Sequence, residues 1–161
     1  MKHDVSYSAA VVTIGLCVGV AGVPAMQKGA GMYRATGSFD VTVKPLDAYA
    51  KADTPLLGRM SVDKQYHGDL DGTGKGEMLT GMTDVKDSAV YVAIERFSGT
   101  LAGKRGTFLM HHTGVMERGA QHLSITIVPD SGTGELAAFS GTMTIDIKDG
   151  KHFYTLEYTQ K

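Results

Sequence analysis

Tryptophan is missing from this 161-residue chain, and cysteine occurs only once, at Cys17. From residue 26 onward there is no cysteine at all, so no disulfide can staple that part. Its stability has to come from core burial and strand ladders. An excess of either charge is also lacking, with 16 Lys and Arg against 17 Asp and Glu. Without a basic stripe to neutralise phosphates, nucleic-acid binding is excluded as an expectation. Proline is scarce, at 4 residues, while the apolar fraction of 42% is ordinary for a globular core, which argues against a disordered chain. No stretch keeps apolar residues at i, i+3, i+4 and i+7 over three turns without a glycine breaking it, so no long helix is expected. No linker rich in Pro, Ser or charge divides the chain.

What is present begins with an apolar leader. Met1–Ser8 is short and carries Lys2, and Ala9–Val23 is an uncharged run of about 15 residues, too short for a comfortable membrane span but the right size for a signal-peptide core. Val23-Pro24-Ala25 sets up a cut after Ala25. Leu16 before Cys17 is too large for a lipoprotein site. The expectation is a secreted or periplasmic protein with a mature domain at 26–161, free of the membrane once the leader is removed; the alternative is a leader that stays uncut as a membrane anchor.

The mature part alternates with a period of two. Leu123, Ile125 and Ile127 interleave with polar residues, as do Met143, Ile145 and Ile147, the mark of strands with one buried face. Eight strands are predicted near 32–43, 58–70, 75–82, 89–99, 105–114, 121–129, 141–148 and 151–159. Lys44–Leu57, with Pro45 and Pro55, reads as a loop or short helical turn. The fold class is all-β, a small antiparallel eight-stranded barrel, since closure removes exposed edges. Two turns set the register. Asp149-Gly150 is a strong hairpin signal and pairs Ile147 with His152, Ile145 with Tyr154, and Met143 with Leu156. A two-residue turn at Ala102-Gly103 pairs Phe97 with Phe108, Glu95 with Met110, and Ala93 with His112. Glu95 and His112 then become diagonal neighbours on one face, about 5–8 Å apart.

The run Val128-Pro129-Asp130-Ser131-Gly132-Thr133-Gly134-Glu135-Leu136, followed by Gly141, is distinctive. With Tyr91–Arg96, Gly99–Gly103 and His152-Phe153-Tyr154 it resembles the bacterial family called domain of unknown function 3224, over roughly Ala35–Thr159. That family's fold is similar to the allene oxide cyclase barrel. The Gly-Thr-Gly-x-Leu portion also resembles the glycine motif of allene oxide cyclases and dirigent proteins. In those proteins the barrel holds a lipophilic or phenolic molecule and guides its cyclisation or coupling. The resemblance implies a cavity, though fold does not dictate function.

Several residues are candidates for chemistry. Glu95 lies among Tyr91, Val92, Ala93, Ile94 and Phe97. A carboxyl in apolar surroundings should have a raised pKa and could serve as an acid or base, with His112 sharing the proton. The plainer alternative is a structural pair, with Glu95 bonded to Arg96 of a neighbouring strand or to a backbone amide. Tyr91, Phe97, Phe108, Met110, His152 and Tyr154 are expected to line the interior and touch a ligand, the alternative being that His152, Tyr154 and Tyr158 are core residues satisfied by one hydrogen bond each. Met110, Met116 and Met143 suit a pliable wall or ordinary core filling. No cofactor is expected, and no metal: His111 and His112 are adjacent on a strand and point to opposite faces. Gly72-Thr73-Gly74-Lys75-Gly76 fails as a phosphate loop and Asp69–Thr80 fails as a calcium loop, so both read as turns. Gly132 and Gly134 are expected to permit positive φ at a sharp arch.

Three functions stay open on these residues. One is an exported barrel that binds a small apolar or aromatic molecule. Another is an isomerase or cyclase using Glu95 and His112 as an acid–base pair. The third is a structural protein that associates into a homo-oligomer through outward apolar residues such as Val90, Val92 and Ile94.

Overall fold

A computed structural model of the chain describes residues 31–48 and 56–160. The leader 1–25 and its cleavage site lie outside the described residues. Eight antiparallel strands follow one another: β1 (Met32–Leu46), β2 (Leu56–Gly68), β3 (Leu70–Met82), β4 (Ala89–Leu101), β5 (Lys104–Glu117), β6 (Ala120–Ile127), β7 (Phe139–Lys148) and β8 (Lys151–Gln160). Each pairs with its sequence neighbour, and β8 returns to β1 from Met32↔Thr159 to Phe39↔His152, closing the barrel. Among the described residues no helix is long and apolar enough to cross a membrane.

Three hairpins share one turn chemistry. Ala102-Gly103, Arg118-Gly119 and Asp149-Gly150 all place both central residues at positive φ, the type I′ geometry whose twist matches that of the flanking strands. The β7–β8 turn pairs Ile147 with His152, Ile145 with Tyr154 and Met143 with Leu156. The β4–β5 turn pairs Phe97 with Phe108, Glu95 with Met110 and Ala93 with His112. Both registers agree with the hairpin arithmetic.

The structure corrects two segments. Leu70–Gly74 is not a turn but the first part of β3. Its glycines at 72, 74 and 76 recur with the period of the inward face. They permit close approach: a Cβ on Gly72 or Gly76 would strike the β4 backbone, and one on Gly74 would fall on the Glu95 carboxylate. The ends of the expected loop or helical turn at 44–57 are strand, because β1 runs on to Leu46 and β2 starts at Leu56, and its middle, 49–55, lies outside the described residues. Pro45 is tolerated there because β8 pairs with β1 only as far as Phe39, so that edge of β1 needs no N–H.

The seam between β6 and β7 has only two ladder pairs, Ile125↔Met143 and Thr126↔Thr142. Beyond Ile127 the Val128–Leu136 segment takes over from β6 and runs along β5. Val128 N donates to Leu109 O at 2.9 Å and Thr133 N to Thr107 O at 2.8 Å. The Ser131 hydroxyl accepts from Leu109 N at 3.0 Å, and Glu135 Oε2 from Arg105 N at 2.9 Å. Gly134 takes positive φ, while Gly132 does not and is required by close approach instead: a Cβ there would strike the Leu136 carbonyl. The motif ends in a single 3-10 turn, Gly134–Leu136, that drives Leu136 into the core.

The interior is filled unevenly. At the end capped by this segment and by the β2–β3 and β4–β5 turns, aromatic rings stack from wall to wall. Phe97 meets Phe108 at 4.8 Å, Phe108 meets Phe139 at 5.0 Å, and Phe139 meets Tyr158 at 5.1 Å. Leu70, Leu101, Met110, Ile127, Leu136 and Leu156 complete this plug. Outside, Val90, Val92 and Ile94 stand exposed.

Candidate functional site

The other half of the barrel is hollow. A cavity of about 600 Å³ opens between the β1–β2, β3–β4, β5–β6 and β7–β8 ends of the strands. Its walls are mostly apolar, including Val41, Val62, Met60, Met78, Met116 and Ile145. Inward positions of the strands supply them, and the same alternation that fills the plug leaves space here because the side chains are smaller or more slender.

The cavity floor is polar. β2 contributes Lys64, β4 Glu95 and β5 His112, and all three are buried, at 8%, 1% and 6% exposure. Lys64 Nζ donates to Glu95 Oε2 at 2.7 Å, and the Tyr66 hydroxyl donates to Glu95 Oε1 at 2.8 Å. Lys64 Nζ also reaches the Tyr66 hydroxyl at 3.3 Å and stands 4.7 Å from the centre of the Phe39 ring. His112 Nε2 lies 3.2 Å from Glu95 Oε2. It is out of line for a well-formed hydrogen bond, and this buried nitrogen has no other partner among the described residues.

These contacts overturn the expected raised pKa of Glu95. Burial is the largest single influence and pushes the carboxyl up, but the adjacent His112 ring and the Lys64 ammonium together hold it down at about 2. Glu95 is therefore an ionised anchor rather than a proton donor near neutral pH. Burial, then the charge of Glu95 and the hydrogen bond to it, hold the Tyr66 phenol well above its ordinary range. Arg96, the partner weighed from sequence, faces the other way because it neighbours Glu95 on the same strand.

Of the residues picked out from sequence, Tyr91, Glu95, His112 and His152 line the cavity. Tyr91 lies across Gly114, its partner on β5. His152 sits 5.1 Å from the Phe39 ring. Phe97, Phe108, Met110 and Tyr154 face inward as expected but belong to the packed core rather than to the cavity wall. Tyr154 turns its hydroxyl to Leu70 N, accepting at 2.7 Å. Alternation gives the side of the sheet but not the depth along the barrel, and these four lie too deep. Met116 lines the cavity, while Met110 and Met143 are core. His111 points away from His112, and no three potential metal ligands cluster among the described residues.

Lys64 and Tyr66 escaped the sequence analysis. The available signal was the alternation Met60, Val62, Lys64, Tyr66 on β2. A lysine in step with apolar residues on an inward face needs a buried anion, and Glu95 is that anion.

Residues 35–158 match the family described as "Protein of unknown function (DUF3224)". Among solved structures, the chain is similar to a protein of unknown function of that family from Shewanella oneidensis MR-1. The two share 44% identity over 81% of this chain and 99% of the other, with a TM-score of 0.77. No curated protein matches. The chain thus belongs to the DUF3224 family.

Proposed function

We propose that this protein binds a small, mainly apolar molecule inside the open half of the barrel. One observation carries the reading: a cavity of about 600 Å³ with apolar walls and a few polar groups converging on its floor, the usual composition of a small-molecule site. The walls supply affinity by removing apolar ligand surface from water. The floor of Lys64, Glu95 and His112, with His152 higher on the wall, sets the orientation. The leader-like residues 1–25 support export, so the ligand would be met in a secreted or periplasmic setting.

The test is to fill the hollow. Ala93 sits between Met78 and His112 on the inner face. Ala93→Trp should weaken binding of an uncharged apolar dye such as Nile red by at least about tenfold, equivalent to about 1.4 kcal/mol. Val92→Trp, one residue along and facing outward, should leave it unchanged. Equal dye binding by Ala93→Trp and the wild type would place the dye elsewhere and end this reading.

An acid–base isomerase or cyclase is the second reading. It is favoured by an imidazole held against a carboxylate that stays ionised, an arrangement that orients the ring. In that case His112 moves the proton and Glu95 positions it. His112→Gln would then stop turnover with little change in ligand affinity, whereas a pure binder has no turnover to lose.

A further inference from the structure

The charges on the cavity floor already cancel. Glu95 Oε2 is taken by Lys64 and Oε1 by the Tyr66 hydroxyl, whose only proton is thereby used. Lys64 already neutralises the one carboxylate, so a cationic head would enter uncompensated. What remains unspent is a donor. The Lys64 ammonium has three N–H groups, and two of them go to Glu95 and Tyr66. His112 Nε2 is buried and lies 3.2 Å from Glu95 Oε2, so it is turned to the carboxylate and not to the cavity. A buried donor lacking an acceptor is costly, and native structures seldom leave one without a purpose.

An anionic head would satisfy the Lys64 donor but would bring a second negative charge into an apolar chamber beside Glu95, whose own charge Lys64 already balances. The extra charge would enter uncompensated, losing its hydration for no new counter-ion. Resting on the binding reading above, we propose that the ligand is uncharged and carries an acceptor oxygen, as in an alcohol, phenol or ketone. That oxygen docks at the remaining N–H of Lys64, and carboxylates of the same shape are refused. The selectivity comes from a repulsive element, Glu95, as much as from the donor.

Three probes of one shape test this at about pH 7, where a naphthol is neutral and a naphthoate is ionised: naphthalene, a naphthol and the naphthoate of the same substitution pattern. The naphthol should bind the wild-type protein more tightly than naphthalene, and at least about tenfold more tightly than the naphthoate. Glu95→Gln removes the negative charge and leaves that of Lys64, so the naphthoate should then rise to match or pass the naphthol. A wild-type preference for the naphthoate overturns the inference. Equal affinity for naphthol and naphthalene also overturns it, while leaving the binding reading intact. If none of the three binds, the binding reading fails and the inference falls with it. Should Glu95→Gln not fold, the three wild-type affinities still decide.

Discussion

At the scale of single residues, Glu95 shows where local sequence misleads. Its neighbours along β4 are apolar, so its own strand argues for a carboxyl that resists ionisation. The deciding partners come from β2 and β5, 31 and 17 positions away in the chain. Diagonal pairing with His112 was legible because one turn separates the two strands. Lys64 was not, because β2 reaches β4 only across β3. The lowered pKa makes a claim about stability. The folded carboxyl titrates at about 2, below its ordinary value of 4.5. Its contribution is therefore fully present above the ordinary value and is lost as pH falls from there through about 2. The size is on the order of 3 kcal/mol. Denaturant unfolding from about pH 6 down to about pH 2 should show the wild type losing that much more stability than Glu95→Gln, which has no such group to protonate. Parallel losses in the two proteins would mean that the carboxylate is not held ionised by its neighbours.

At the scale of elements, glycine has three distinct uses, and only one is easily read in a sequence. In the type I′ hairpins it supplies positive φ, and Asp149-Gly150 announced itself. Along β3 it alternates on the inward face to admit the β4 backbone and the Glu95 carboxylate, which resembles loop composition until the period of two is noticed. In Gly106 it permits contact: its φ is ordinary, yet a Cβ would collide with the Thr133 carbonyl and press on Leu136. These uses predict different costs. Gly150→Ala has open space around the new methyl and only backbone strain to bear, so it should cost about 1 kcal/mol. Gly106→Ala should cost more than about 2 kcal/mol. It should also speed hydrogen exchange at the Thr107 and Leu109 amides, whose acceptors are Thr133 and Ser131. Slow exchange at those amides in Gly106→Ala would show that the Val128–Leu136 segment is not held to β5 by the contact at Gly106.

At the scale of the whole molecule, the barrel is two unlike halves on one continuous wall. Strand number, hairpin turns and inner face were legible because they follow from periodicity and turn chemistry. The division into plug and hollow was not. It depends on which inward residues from eight strands arrive at the same depth, and that is set by strand stagger rather than by any local pattern. Phe97 and Ala93 occupy equivalent inward sites on β4, yet one is wedged among rings and the other borders open space. The division predicts unequal responses to truncation. Phe108→Ala removes a ring packed between Phe97 and Phe139 and should cost about 3–5 kcal/mol. Met78→Ala removes a side chain that already borders the cavity, so few packing contacts go with it, and the cost should stay near 1 kcal/mol. Equilibrium unfolding of the two variants compares the halves directly. If Met78→Ala proves as damaging as Phe108→Ala, the upper half is packed in solution as tightly as the lower, and a barrel without a hollow has nowhere to hold a ligand.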